Sequence, residues 1–358
     1  MISSNTFSKE HIESFKNQSQ YSKINRSVLE KMIHALGLLE QLRIFDLNFI
    51  FKGGTSLSLL LPNFNRLSID IDIITEHTNE ELENAFEKII QNSHFKRFER
   101  QKRESDRGKI PKAHYAFFYE GHFGQKEDKV LLDILFEQSP YPKTQILSIE
   151  SQWLLSDSNP PQQVCVPTIE SILGDKLTAY APNTTGIPYQ VDKSMEIIKQ
   201  LFDVGLLFEI ADDMGIVVQS FTNTVLKEIG YRNQEITIED VLDDIIETGL
   251  LLAKRDRNKE TNDIGKIKEL SDGIKSVDSH LPSTKFRIEH AIEAAGKAAY
   301  LAAKIKANDL NPIPKFDKPY KTEFITNQNY SILNKQKKQP TKAFAYWYEA
   351  LKLLNLVN

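Results

Sequence analysis

The apolar positions of this chain change period several times, and those changes mark out its elements. Val28, Leu29, Met32, Ile33, Leu36, Leu39 and Leu42 recur at helical spacing and predict a helix over Val28–Phe45. Phe49-Ile50-Phe51 is short, apolar and β-prone, and predicts a buried strand directly after it. From Leu67 to Ile74 the pattern alternates, with Ile69, Ile71 and Ile73 on one side and Asp70 and Asp72 on the other. Glu80–Asn92 reads as a crossover helix. His114–Tyr119 and Lys129–Phe136, on either side of a Gly121–Gly124 turn, read as a hairpin. Residues 143–165 mix strand-like pieces with a Pro160-Pro161 loop. Beyond Pro167 the period turns helical: a segment with Thr168 and Ser171 as candidate N-caps, then Asp192–Ile210, Glu235–Glu247, Arg287–Ile305 and Ala343–Leu354. The pattern predicts an α+β protein. A mixed sheet flanked by helices occupies 1–166, and a mostly α-helical C-terminal domain occupies 167–358.

The chemistry concentrates between the first two predicted strands. Gly53-Gly54 allows positive φ and lets another group approach the backbone closely. Thr55 or Ser56 is expected to cap a helix through Leu57, Leu59, Leu60 and Leu61 that stops at Pro62. A strand, a Gly-Gly turn and a helix together aim free N–H groups and a helix dipole at an anion, most often phosphate. Asp70 and Asp72, close together on one strand face, repel each other when ionised. A divalent cation relieves that repulsion, and oxygen-only ligands suit Mg²⁺ or Mn²⁺. Asp133 sits inside the otherwise apolar strand Lys129–Phe136, where an acid is costly unless it is paired or bound to metal.

Gly53-Gly-Thr-Ser-Leu57 followed by Arg66-Leu-Ser-Ile-Asp-Ile-Asp72 resembles the nucleotidyltransferases of the AbiEii/AbiGii toxin family, within the DNA polymerase β-like superfamily. The resemblance implies a nucleotidyltransferase-like sheet in the N-terminal domain, with Asp133 as the superfamily's third carboxylate on a neighbouring strand. Glu170–Ala179 resembles the helix that carries an active-site lysine, here Lys176. Lys199-Gln-Leu-Phe-Asp-Val204 resembles the family's K-D-L-Y-D-L, which places the late aspartate at Asp203 and leaves Gln200 as a departure. The implied site has Gly53, Gly54, Thr55 and Ser56 on the β- and γ-phosphates of a nucleoside triphosphate, and Asp70, Asp72 and Asp133 on one or two Mg²⁺. Arg66 would neutralise phosphate charge or fix the turn through a backbone carbonyl. Lys176 would meet the triphosphate, and Asp203 would hold Lys176 or orient acceptor or ribose, both from the helical domain. The family further implies a toxin of a toxin–antitoxin or phage-defence pair, a cognate antitoxin, and the tRNA 3′ end as acceptor. Two other expectations share these residues: transfer to a small molecule such as an antibiotic, and a silent scaffold that binds nucleotide or a partner.

Composition adds limits. The chain has 358 residues, enough for two cores, and a net charge of −4, so only local basic patches could engage a polyanion. One such patch is the Lys96–Lys112 run, read either as a solvated loop or hairpin or as a rim touching RNA phosphates. Lys335, Lys337, Lys338 and Lys342 form a smaller cluster, ahead of a helix whose aromatic residues read as core. Arg255–Lys268 reads as a charged loop, and His34 as a structural histidine. The single cysteine, Cys165, excludes an intramolecular disulfide and reads as a packed small hydrophobe. No Cys/His spacing suggests zinc. With no signal peptide and no stretch of the ~20 apolar residues that a span needs, the expectation is a cytoplasmic protein without membrane contact.

Overall fold

The structure is a computed structural model and describes residues 1–61, 66–102, 110–232, 235–254, 263–316, 320–338 and 342–358. It divides into two units. The first comprises Met1–Ser139, Lys143–Thr168 and Ser279–Thr284; the second comprises Pro140–Pro142, Ile169–Asp278 and Lys285–Asn358.

The first unit is a sheet covered by helices. After α1 (Lys9–Lys16), α2 runs Arg26–Ile44; it starts ahead of its apolar series because Asn25 caps it, accepting from the N–H of Ser27 and Val28. Its predicted inward residues, from Leu29 to Leu42, are fully buried. Then come β1 (Ile50–Lys52), α3 (Gly53–Leu60), β2 (Asp70–Thr75) and α4 (Asn79–Asn92). Helix α4 opens on a Thr78–Glu81 capping box, which satisfies two of its orphan donors reciprocally. The strands β3 (Arg97–Gln101), β4 (Lys112–Glu120), β5 (Glu127–Phe136), β6 (Thr144–Ser148) and β7 (Gln163–Pro167) complete a sheet of order β3-β4-β5-β2-β1-β7-β6. β2 pairs parallel with β5 and β1 parallel with β7, while the remaining neighbours are antiparallel. The β4–β5 turn is held from α2 by the buried Glu30, whose carboxylate accepts the N–H groups of His122 and Phe123. His34 is structural, as expected: it is buried, hydrogen-bonded to His94 and stacked on Tyr119.

The second unit is helical: α5 (Ile169–Ala179), α6 (Ser194–Phe208), α7 (Met214–Tyr231), α8 (Ile238–Lys254), α9 (Ile264–Val277), α10 (Ile288–Lys306) and α11 (Ala343–Leu353). α5 packs on α7, and α10 packs on α8 and α11. The Ala-rich face of α10 and Phe344, Tyr346 and Trp347 of α11 are core.

Several expectations are corrected. Helix α3 begins at Gly53 rather than at a capping Thr55 or Ser56; both residues lie inside it, with their hydroxyls on the carbonyls of Asp70 and Gly53. Residues 255–262 lie outside the described residues, but Ile264–Lys268, expected as loop, forms the opening of α9, driven by the apolar Ile267, Leu270, Ile274 and Val277 on one face. Arg97–Gln101 of the basic run agrees with the hairpin alternative: it is the edge strand β3, antiparallel to β4, with Arg97 paired to Glu99 and Glu127 and lying over the Phe118 ring, and Lys96 paired to Glu120. Arg103, Arg107 and Lys109 of that run lie outside the described residues. Cys165 is only half-buried and lines a cavity of about 760 Å³ with Ile50, His77 and Glu137. Among the described residues no helix is long and apolar enough to cross a membrane.

Candidate active site

The candidate site starts from the β1–α3 junction. Gly53 has φ of 78°, a left-handed conformation that is cheap only for glycine. A Cβ there would lie 2.1 Å from Asp72 Oδ2, so the carboxylate rests directly against the bare Cα. A Cβ on Gly54 would lie 2.6 Å from Arg66 Nη2 and 2.9 Å from Ser68 Oγ. The two glycines therefore do different things: one admits a carboxylate, the other a buried guanidinium.

The hydroxyls of Thr55 and Ser56 face inward. Thr55 Oγ1 donates to the Asp70 carbonyl at 2.6 Å, which ties α3 to the start of β2, and Ser56 Oγ donates to the Gly53 carbonyl at 2.8 Å. Both residues are fully buried. What this turn of helix offers a ligand is its leading N–H groups, which the α-helix leaves without intrahelical acceptors.

Asp70 and Asp72 alternate with the buried Ile71 and Ile73 along β2, so both carboxylates share one sheet face. Parallel pairing sets Asp72 beside Asp133 of β5. Antiparallel pairing then sets Asp133 beside His114 of β4, and on the other flank Asp72 beside Lys52 of β1. Register partners project to the same face, so Lys52, Asp72, Asp133 and His114 form one row across four strands. His114 Nδ1 lies 2.7 Å from Asp133 Oδ1. The imidazole is nearly buried, at 6% exposure of its side chain, whereas the carboxylate is 29% exposed.

In the second unit, Lys176 of α5 points into a polar cage built by α6. Its ammonium lies 3.1 Å from Asp203 Oδ2 and donates to Gln200 Oε1 at 3.0 Å. Gln200 and Asp203 are one helical turn apart, so they share a face. The pair is deeply buried: 7% of the lysine side chain and none of the aspartate is exposed. The position that departs from the family pattern, Gln200, still contacts Lys176, through a neutral amide oxygen.

The structure thus gathers Gly53, Gly54, Arg66, Asp70, Asp72 and Asp133 in the first unit, and Lys176 with Asp203 in the second. Among the described residues no group of three or more His, Cys, Asp or Glu side chains is arranged as a metal cluster. A pair of neighbouring carboxylates, Asp72 and Asp133, fits a divalent ion that takes its remaining oxygens from a nucleotide and water, the usual form for Mg²⁺ at phosphoryl sites. Two members of the row, Lys52 and His114, were not singled out from the sequence. The readable signal for His114 was a basic side chain inside a strand of aromatic and small residues.

Comparison with known proteins bears on these motifs. The sequence model of the AbiEii family, described as the nucleotidyl transferase AbiEii toxin of a type IV toxin–antitoxin system, matches residues 37–287. Among solved structures, JHP933 from Helicobacter pylori aligns with 16% identity and a TM-score of 0.46, over 80% of this chain and 96% of that one. MenT4, a nucleotidyltransferase toxin from Mycobacterium tuberculosis, aligns with 14% identity and a TM-score of 0.47, over 82% of this chain and 99% of that one. An antigenic nucleotidyltransferase-like protein from Paracoccidioides brasiliensis aligns with 16% identity and a TM-score of 0.35, over 56% and 89%. No curated protein matches. The family match spans more than half the chain and contains the Gly-Gly turn, both β2 aspartates, Asp133, Lys176 and Asp203, and it places the chain in the AbiEii family of nucleotidyltransferase toxins.

Proposed function

We propose that this chain is a divalent-metal-dependent transferase that moves a nucleoside monophosphate from a nucleoside triphosphate to a hydroxyl at the tRNA 3′ end. The observation that carries the reading is the seating of Asp72 against the Cα of Gly53, which brings an anionic metal ligand to the phosphate-binding turn. The leading N–H groups of α3 favour the triphosphate electrostatically. Asp72 and Asp133, with Asp70 on the same face, would hold Mg²⁺ or Mn²⁺. When bound, the ion supplies neutralisation of the charge that develops on the α-phosphate and the leaving oxygen. The acceptor oxygen bonds to the α-phosphorus, the bond to the bridging oxygen breaks, and pyrophosphate departs. Asp133 takes the hydroxyl proton. Lys176 is assigned to the triphosphate on the family pattern, and Asp203 and Gln200 hold it.

The tRNA acceptor and the metal rest on the family likeness and on the donor set, respectively. A toxin–antitoxin family also makes a cognate antitoxin the expected protein partner. To test the reading, the protein is incubated with each labelled triphosphate, Mg²⁺ and total tRNA, alongside Asp72→Asn and a metal-chelated control. Label on the tRNA that requires both Asp72 and the metal supports it. Label that survives either control, or that appears only on a small-molecule acceptor, rules it out.

A further inference from the structure

The row across the sheet contains a histidine that the reaction scheme above does not use. His114 is directly opposite Asp133 in the β4–β5 ladder, nearly buried, and in hydrogen-bond contact with Asp133 Oδ1 at 2.7 Å. A carboxylate can only accept, so Nδ1 carries the proton and donates it. We infer that His114 is a positioning residue for the transfer site, holding Asp133 in the one rotamer that presents its carboxylate alongside Asp72. The inference rests on the nucleotidyl-transfer reading and deepens it.

The physical need is specific. The Asp133 side chain is 29% exposed and turns about two torsions, so its direction has to be set by its contacts. Its partner in the metal pair, Asp72, is fixed by contact with Gly53. Asp133 meets the imidazole of His114 through Oδ1 at 2.7 Å, a contact made from the neighbouring strand. The imidazole is 6% exposed and sits on a strand paired on both edges: Gln101 of β3 is its register partner on one side and Asp133 on the other. A buried ring on a central strand can therefore aim a carboxylate on the neighbouring strand. Outer partners of this kind, one bond removed from the ion, change metal affinity about 10–100-fold when lost.

The test uses the full chain and Mn²⁺ alone as the probe, with free ion followed by electron paramagnetic resonance, so that the readout does not depend on turnover. Asparagine places an N–H where Nδ1 stands, glutamine moves it one bond outward, and alanine removes it. The expected result is Mn²⁺ affinity within about threefold of wild type for His114→Asn, and a loss of tenfold or more for His114→Gln and His114→Ala. Thermal melts accompany each variant. Should His114→Ala fail to fold, the Asn–Gln comparison decides alone. Equal affinity for Asn and Gln variants, whether both strong or both weak, overturns the inference, since a packing role does not distinguish where the N–H sits. Asp72→Asn separates the two levels. If it abolishes Mn²⁺ uptake while the His114 variants do not alter it, only the positioning role fails. If wild type takes up no Mn²⁺ at all, the metal-dependent reading fails with it.

Discussion

Gly53→Ala is the substitution that most directly probes how the site is built. The added Cβ meets Asp72 Oδ2 at 2.1 Å, and Asp72 Cγ at 2.9 Å. To reach ordinary contact the carboxylate has to retreat by about 1.3 Å. The backbone resists separately, because φ of 78° is a left-handed conformation that costs an alanine about 1–2 kcal/mol. On stability alone that predicts a melting temperature lower by a few degrees, at about 2–4 °C per kcal/mol for a unit of this size. The effect on transfer should be far larger, because a ligand displaced by about 1 Å costs on the order of 100-fold in rate. The assay is incorporation of label from an α-labelled triphosphate into acceptor, run beside a circular-dichroism melt. Gly230→Ala is the matched control: it lies in α7 with nothing within 4 Å of an added Cβ. It should gain about 0.4–1 kcal/mol through the unfolded chain and leave transfer unchanged. A Gly53→Ala protein that is folded and transfers within threefold of wild type would refute the claim that Asp72 works from its seat on the glycine.

Three further outcomes follow from the packing. Asp203→Ala strands the buried Lys176 cation with only the Gln200 amide oxygen, and should cost about 3–5 kcal/mol by urea titration, whereas Lys176→Met combined with Asp203→Leu should recover most of that yet transfer nothing; a double variant as unstable as the single one would contradict this. Burial drives His34 well below its ordinary range, helped by His94 and His122, and burial holds His94 at about 4. Both rings bind fewer protons folded than unfolded, so the stability tied to their neutrality is present above about pH 6.5 and drains as pH falls towards 4, by about 3 kcal/mol for His94 alone. A urea midpoint that is flat between pH 7 and pH 4.5, or that falls just as steeply in His94→Gln, speaks against it. Glu30→Ala leaves the N–H groups of His122 and Phe123 without their buried acceptor and should cost about 1–3 kcal/mol, with faster hydrogen exchange confined to the β4–β5 turn; unchanged exchange there would remove Glu30 from its assigned role.

The elements with a clear period were legible from the sequence. Helix α2 and the alternation along β2 follow from side-chain spacing alone, and the Gly-Gly turn with Asp70 and Asp72 could be placed before any coordinates. The capping of α3 was misread because Thr55 and Ser56 are common caps, yet here they use their hydroxyls on the carbonyls of Asp70 and Gly53. One of those acceptors lies across the β1–β2 connection, beyond what a local pattern reports. His114 was missed for a similar reason: only strand register, set by the whole sheet, makes it a neighbour of Asp133. Helices α7 and α9 went unnoticed where glycines and polar residues dilute the apolar stripe. At Gly174 the α5–α7 crossing is so close that an added Cβ would lie 2.6 Å from the Phe221 nitrogen. That residue reads as a helix weakener until its partner is known.

The short stretch Ser279–Thr284 belongs to the sheet unit although the helices from α5 to α9 precede it in the chain. Its His280 carbonyl accepts the Leu67 N–H at 2.7 Å, immediately after Arg66 and ahead of the β2 aspartates. During synthesis the ribosome therefore releases Asp72 and Asp133 long before the residue that braces the entry to β2. The sheet unit cannot be finished until most of the polypeptide has emerged, and a nascent chain stalled midway is left without that brace.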